Sequence, residues 1–429
     1  MYSINSSQFS LSDRKLLFLF AVALAFMAFP MREWYQNGVI WSDAEGYYMY
    51  LPGVFIYDGF EKIPVRAEGQ FPHYPGTQKR FTKYTCGVAM MQTPFFLAAH
   101  ARARAEDKAD GYSTYYIYGV LWAALLYAVA GVWLLIKTLR RHFSQTVAWI
   151  TVMAVFWGSN LYHYTVHEPG MSHVYSFFLV SCLLWLTPKL YTLPPPRKWI
   201  LLIGLVAGLM VLIRPTNVLV LLYPALFGVN SWSDFKARLQ FFGQHIGQLW
   251  PAALLIFAVW IPQALYWRYM SGDWIMYSYG DEGFIYWNRA RMAQVLFDIK
   301  NGWLLFSPMM AISLIGMLAG LWRNRYNERW IGLVWLISWY LFASWWAWWF
   351  GGAFGHRSFI DLYPLLAIPF AAVVQAVWST RSIALKGLFV VVLGALAYYG
   401  LGLTSHYISP HYEWPTWRAA IELMLKGKF

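Results

Sequence analysis

Three carboxylates stand in short stretches whose residue types suit proton transfer or cation binding. Asp43 and Glu45 lie two residues apart in WSDAEGYYMYLP, and Glu168 lies in HEPG. A pair of carboxylates from separate segments suits general-base work on a hydroxyl or amine, and it also suits a divalent cation. A structural alternative exists for the first stretch, because Ser42 and Asp43 are both good helix N-caps. On a helix Asp43 and Glu45 would point about 200° apart, so only one of them should face a shared cavity.

A second group of candidate residues is basic and suggests an anionic ligand. Lys83 lies in RFTKYT, Arg214 in IRPTN, and His356 and Arg357 in FGHRSF. Arginine offers a planar fork that matches phosphate, whereas lysine offers a point charge. Several cations in one apolar cavity would fit a lipid phosphate. The alternative for each is that it extends toward lipid headgroups as an anchor, which explains Arg214 least well because a helix-breaking proline follows it.

The remaining polar candidates are histidines, acids and a tyrosine. His163 and His167 are four residues apart and precede Glu168, but the segment HYTVHEPGMSH lacks the HExxH pattern of a zinc helix. Hydrogen bonding at a turn is therefore favoured over zinc. His167, Tyr47, Asp281 and Glu282 are further candidates for polar contact with a ligand.

The elements that carry these residues are predicted to be membrane helices. Of the 429 residues, 59% are hydrophobic and only 12% are charged, well below the roughly 25% charged residues of soluble domains. About 20 apolar residues span a bilayer as a helix. Long runs without Asp, Glu, Lys or Arg occupy residues 120–136, 199–213, 250–267, 331–355, 362–380 and 387–405. The pattern predicts an all-α polytopic membrane protein.

The topology follows from the distribution of basic residues, which favour the cytoplasmic side. If residues 86–101 lie in the interface as an amphipathic helix, every short basic turn falls on the cytoplasmic side. The chain is then one membrane domain, 1–429, with a long outer loop at 32–113 that carries interfacial helices and a short outer tail at 405–429. About eleven spans are predicted, at 16–31, 114–136, 146–162, 171–188, 198–213, 217–229, 249–270, 302–322, 330–350, 358–379 and 386–404.

This topology collects the unusual polar residues at the outer boundary of the membrane and predicts one site there. The formal charge of +13 is attributed to cytoplasmic basic turns and anionic lipid, so nucleic acid is not expected as a partner. The stretch WYLFASWWAWWF at 339–350 is typical of an interfacial aromatic belt. Whether some of its rings contact a sugar is left open.

The order of these motifs resembles the GT-C class of integral membrane glycosyltransferases, which includes protein O-mannosyltransferases and the aminoarabinose transferase of lipid A. The likeness is carried by DAEGYYMYLP after the first helix, by FTKY at 81–84, by HEP in a later outer turn, and by RPTN and FGHRSFIDLYP. Two features depart from the family pattern: Ala44 separates the two acids, and no Pro-Pro follows Lys83.

The resemblance implies inverting transfer of a sugar from a polyprenyl-phosphate donor to a glycan, lipid or protein at the outer face of a bacterial inner membrane. Asp43 would be the general base, with Glu45 as the rival for that role, and Glu168 would support the site. Lys83, Arg214, His356 and Arg357 would hold the donor phosphate. The candidate contacts to the sugar or the acceptor would be His167, Tyr47, Asp281 and Glu282. No cofactor is firmly implied, although Asp43 and Glu168 are candidate ligands for a divalent cation.

Two other classes of protein fit parts of the pattern. A transporter or flippase for lipid-linked sugars would use the same cations and need no base. A binding protein for lipid-linked sugars or lipid phosphates would tolerate the loss of any one acid. Few polar residues lie deep in the apolar runs, and this disfavours the transporter.

Overall fold

The computed structural model describes residues 10–29 and 39–405, and within these residues every regular element is a helix. The α-helices are α1 (Leu11–Ala28), α2 (Asp43–Tyr48), α3 (Tyr50–Phe55), α4 (Gly87–Arg104), α5 (Thr114–Leu139), α6 (Gln145–Trp157), α7 (Leu161–Val166), α8 (His173–Leu190), α9 (Arg197–Ile213), α10 (Leu222–Leu226), α11 (Trp232–Ser271), α12 (Met292–Phe297), α13 (Trp303–Phe306), α14 (Ala311–Gly320), α15 (Glu328–Ser344), α16 (Tyr363–Trp378) and α17 (Ile383–Ser405). Short 3-10 helices occupy Glu68–Gln70, Pro215–Leu221, Trp287–Arg289, Pro308–Met310 and Arg357–Leu362.

The prediction of an all-helical chain is confirmed for the described residues. Five of the described helices are long and apolar enough to cross a membrane, which fits a membrane protein. They are Thr114–Leu139, His173–Leu190, Trp232–Ser271, Arg357–Trp378 and Ile383–Ser405. Several other predicted spans are shorter helices or broken ones. The predicted span at 146–162, for example, divides into α6 and α7 around Gly158, and the one at 217–229 is a 3-10 helix followed by the short α10.

Helix α11 differs most from the prediction. Its 40 residues correspond to about 60 Å at 1.5 Å per residue, roughly twice the apolar thickness of a bilayer. The chain between the predicted spans at 217–229 and 249–270, which contains Lys236 and Arg238 and was predicted to be a basic turn, is therefore largely the first part of this helix. A capping box between Ser231 and Asp234 begins α11, and Gly272 ends it in a left-handed conformation with φ of 85°.

The interior of the bundle is built by helix pairs that pack along their lengths, notably α9 with α11, α5 with α8, and α14 with α16. Gly204 shows why α9 and α11 can come so close. A Cβ atom at this position would lie 2.7 Å from the Cα atom of Ala252, so only glycine fits here without displacing the backbone.

The described part of the first long loop, 39–113, contains α2, α3 and α4 and folds against the bundle. Helix α4 packs against α5, and it also contacts α2, α3 and α9. Tyr48 donates a hydrogen bond of 2.6 Å to the carbonyl of Gly111, which joins the two ends of the loop. Residues 30–38, and the predicted tail beyond Ser405, lie outside the described residues.

Candidate functional site

A cavity of about 520 Å³ lies where α2, the chain around Lys83 and the start of the 3-10 helix at Arg214 meet α11 and α15. Its lining is divided by chemistry. One part is polar and charged: Asp43, Tyr47, Lys83, Tyr84, Arg214, Tyr279, Glu282 and Arg357. The other part is aromatic and apolar, with Trp260, Trp267, Met276, Phe284, Phe342, Trp345, Trp346, Trp349 and Phe350 among its members.

Asp43 contributes a carboxylate to this cavity and does not act as a helix cap. The N-cap of α2 is Ser42, which has φ of 53° and makes no side-chain capping hydrogen bond. Instead Arg357 donates to Oδ2 of Asp43 at 2.6 Å, and the hydroxyl of Tyr84 donates to Oδ1 at 2.5 Å. Burial raises the pKa of Asp43, but the charge of Arg357 and these hydrogen bonds outweigh burial, so the pKa lies below its ordinary value.

Glu45 has a structural role, which separates the two acids of DAEG. Its side chain is buried, and its two oxygens accept hydrogen bonds from the backbone N–H groups of Arg66 and Ala67 at 2.6 and 3.0 Å. Burial raises the pKa of Glu45 more than these hydrogen bonds lower it. Glu45 thus holds the loop against α2, while Asp43 faces the cavity, as the angular separation on a helix requires.

Lys83 and Glu282 meet across the cavity. The ammonium group of Lys83 forms an ion pair with Glu282 and lies 5.3 Å from the ring centroid of Tyr279. The hydroxyl of Ser278 donates to the carbonyl of Lys83 at 2.6 Å, so the 272–291 segment is bonded to the first loop at this point. Asp281, by contrast, is exposed and does not belong to the cavity lining.

Arg214 lines the cavity from a buried polar network. Its Nε lies 2.8 Å from a carboxylate oxygen of Asp361, and its terminal nitrogens donate to Ser358 at 2.8 Å and to Ser172 at 3.4 Å. Asp361 in turn lies 3.6 Å from Nδ1 of His173. Asp361 was not among the predicted site residues, although it stands in FGHRSFID close to Arg357.

His356 is placed differently from its neighbour Arg357 and does not line the cavity. It is fully buried, packs against Phe342, Phe350 and Phe359, and contacts the carbonyl of Trp348 through Nε2 at 2.9 Å. Burial lowers the pKa of His356 to about 3, so the ring is neutral at neutral pH. The expected role in phosphate binding is therefore not supported, because a neutral ring outside the cavity adds no positive charge to it.

The histidines near Glu168 form a separate cluster beside the site. The rings of His163 and His167 stack with centroids 5.2 Å apart, and Nε2 of His163 lies 3.4 Å from Glu168. Burial lowers the pKa of His167 to about 3. Neither His167 nor Glu168 lines the cavity, although the charge of Glu168 acts on Arg357. Among the described residues, no group of three or more His, Cys, Asp and Glu side chains could hold a metal ion.

Two aromatic features of the site were not predicted from the sequence. Several rings of the 339–350 stretch form a wall of the cavity, which an interfacial belt facing lipid would not do. The hydroxyl of Tyr84 donates a hydrogen bond to Asp43. The Tyr84 ring packs tightly on α2, as shown by the 2.4 Å that would separate it from a Cβ atom at Gly46. The adjacent Lys83 was recognised by its charge, whereas nothing in the local pattern distinguishes Tyr84 from the other tyrosines.

Comparison with known protein families finds no family that matches this chain, and comparison with curated proteins finds no related sequence. The resemblance to GT-C glycosyltransferases thus rests on short motifs of the sequence alone.

Proposed function

We propose that this chain is a GT-C-type glycosyltransferase. It would transfer a sugar, with inversion, from a polyprenyl-phosphate donor to a glycan, lipid or protein acceptor at the outer face of a bacterial inner membrane. One observation carries the proposal: a single cavity combines the Asp43 carboxylate, the cations Lys83, Arg214 and Arg357, and an aromatic wall. The carboxylate can serve as a base, the cations can hold a phosphate, and the aromatic wall can take a hydrocarbon tail.

The cations account for the phosphate of the donor. Arg357 and Lys83 are each paired with a carboxylate, Asp43 and Glu282 respectively, so a phosphate would enter by exchanging with carboxylates rather than by meeting bare charges. Arg214 is fixed by Asp361 and two serines. The aromatic wall would take the isoprenoid part of the donor, since burial of apolar surface favours binding there.

Asp43 accounts for the activation of the acceptor. When the phosphate engages Arg357, Asp43 loses the attraction that lowers its pKa and becomes a stronger base. It then takes the proton of the acceptor hydroxyl while the hydroxyl oxygen bonds to the anomeric carbon. The bond from that carbon to the phosphate oxygen breaks, and its electron pair leaves on the polyprenyl phosphate. Lys83 and Arg214 stabilise the charge that develops there.

A second candidate is a carrier or binding protein for lipid-linked sugars or lipid phosphates. The observation that favours it is the ion pair between Asp43 and Arg357 at 2.6 Å. In this state the carboxylate is already neutralised, and a carrier needs no base at all.

Transfer assays in vesicles separate the two candidates. The purified protein is reconstituted with a panel of labelled polyprenyl-phosphate hexoses, and transfer and uptake of label are measured together. Asp43→Asn should lower transfer at least roughly 100-fold, the lower range for loss of a general base, while the donor lipid still binds. Asp281→Asn is the matched control, since Asp281 is exposed and outside the cavity lining. Unchanged transfer by Asp43→Asn would refute the assignment of the base, and uptake without any transfer by the wild type would favour the carrier.

A further inference from the structure

Lysines and tryptophans alternate along the ends of three helices at the end of the bundle away from the first long loop. Lys137 lies 4.1 Å from the ring centroid of Trp133 and 5.7 Å from that of Trp185. Lys189 lies 4.0 Å from the ring of Trp185 and 3.9 Å from the ring of Trp199. We call these five residues the Lys–Trp ladder. Each ammonium group lies within the distance at which a cation is attracted by an indole face.

The ladder is assembled by the way the helices pack. Lys137 is in the last turn of α5 and Lys189 is in the last turn of α8, while Trp199 is in the first turn of α9. Helix α5 begins at Thr114, next to the first loop, so Lys137 lies about 35 Å along the helix from that end. The ladder therefore lies at the end of α5 opposite to the loop that carries Asp43.

A groove continues from the ladder between α1 and α5. Its volume is about 440 Å³, and its lining is Arg14, Leu17, Phe18, Ala21, Val129, Trp133 and Lys137. The positions 129, 133 and 137 follow one another at single turns of α5. The groove thus has two cations at one end and an apolar floor along about 12 Å of helix, which is the shape and polarity of a lipid headgroup joined to an acyl chain.

Asp13, which precedes Arg14 in the chain, is engaged by other partners. Asp13 is buried, accepts hydrogen bonds from Ser10 and from the indole of Trp149 at 2.8 Å, and lies 3.9 Å from Arg140. The groove lining itself contains the cations Arg14 and Lys137 and no carboxylate. Anionic headgroups are attracted by such positions.

We propose that the groove and the Lys–Trp ladder form a binding site for one anionic phospholipid, in the leaflet opposite to the Asp43 cavity. The headgroup phosphate contacts Lys137 and Arg14, and one acyl chain lies along Leu17, Ala21 and Val129. This site is independent of the proposed transfer reaction. It is also distinct from general attraction to the membrane, because it predicts a saturable site with a defined position.

Native mass spectrometry of the full chain in detergent tests the proposal. The protein is titrated with phosphatidylglycerol and with phosphatidylcholine of the same acyl chains. We expect the first phosphatidylglycerol to bind at least tenfold more tightly than phosphatidylcholine. The double variant Arg14→Gln/Lys137→Gln should weaken the binding of phosphatidylglycerol by roughly tenfold or more. The matched control is Arg381→Gln/Lys386→Gln, which removes two positive charges from another basic turn.

A second variant keeps the charges and changes only the groove. Ala21→Trp fills the apolar floor, so it should weaken the binding of phosphatidylglycerol while leaving the charges at the helix ends unchanged. Equal losses of affinity in Arg14→Gln/Lys137→Gln and in the control would overturn the site in favour of general anchoring. Equal binding of the two lipids would also overturn it, as would binding of glycerol phosphate as tight as that of the whole lipid, which would indicate a site for free phosphate.

Discussion

Removal of the Arg357–Asp43 ion pair should cost far more than removal of a surface ion pair. The two charged groups are 2.6 Å apart, and their side chains are only 15% and 22% exposed. Exposed pairs contribute about 0–1 kcal/mol, whereas loss of one partner of a buried pair costs roughly 3–5 kcal/mol. Because this pair lines an open cavity, we expect a coupling energy of about 2–3 kcal/mol between the two positions.

A double-mutant cycle measures this coupling. Asp43→Asn, Arg357→Gln and the double variant are unfolded reversibly at pH 7 in mixed micelles of a mild detergent and sodium dodecyl sulfate. The reference pair is Arg80 and Glu68, 3.7 Å apart with the glutamate side chain 76% exposed, for which the same cycle should give less than about 1 kcal/mol. A coupling energy at positions 43 and 357 no larger than that of the reference pair would refute the reasoning.

The same variants give a pH dependence of defined sign. In the wild type the pKa of Asp43 lies below its ordinary 3.8, so the ion pair stabilises the fold above that pH and is lost as the pH falls through the lowered pKa. In Arg357→Gln burial remains while the attraction is gone, so the pKa of Asp43 should rise above that of the wild type. That variant should therefore gain stability relative to the wild type as the pH falls from 6 to 4. Parallel pH profiles would contradict this.

Three further predictions concern stability. Gly46→Ala should cost about 1–3 kcal/mol of unfolding free energy, because its Cβ would displace the Tyr84 ring that holds Asp43. Asp361→Asn should cost roughly 3–5 kcal/mol, because Arg214 loses its buried partner. The wild type should lose about 2 kcal/mol between pH 7 and pH 5 from His356 alone, since the unfolded chain takes up a proton near 6.5 and the folded chain does so only near 3. The variant His356→Gln should not show this loss of stability between pH 7 and pH 5. The unfolding assay in mixed micelles measures all three.

The glycine and histidine predictions each have a matched control, and the Asp361 prediction has a defined result that would contradict it. Gly247→Ala lies on α11 with open space around it, so it should stabilise the helix by up to about 1 kcal/mol. His73→Gln changes an exposed ring and is the matched control for His356→Gln. A loss below about 1 kcal/mol for Asp361→Asn would show that Arg214 is adequately solvated without its partner.

The site was predictable only as far as local patterns reach. Helical periodicity follows from the sequence alone, and it predicted that Asp43 and Glu45 would face different ways. It could not say which acid faces the cavity, because that depends on Arg357, which is 314 positions away in the chain. Likewise the charges of Lys83 and Arg214 marked them as candidates, while their carboxylate partners Glu282 and Asp361 became evident only from the folded chain.

The sequence by itself determined the class of fold, because apolar composition and helix length are local properties that the bilayer constrains strongly. It did not determine the number or extent of the helices. Where α6 gives way to α7, and where α11 continues for 40 residues, the outcome depends on packing that no window of sequence contains. Only tertiary structure decided that His356 is a buried neutral ring and that rings of the 339–350 stretch wall the cavity, since burial is a property of the whole bundle.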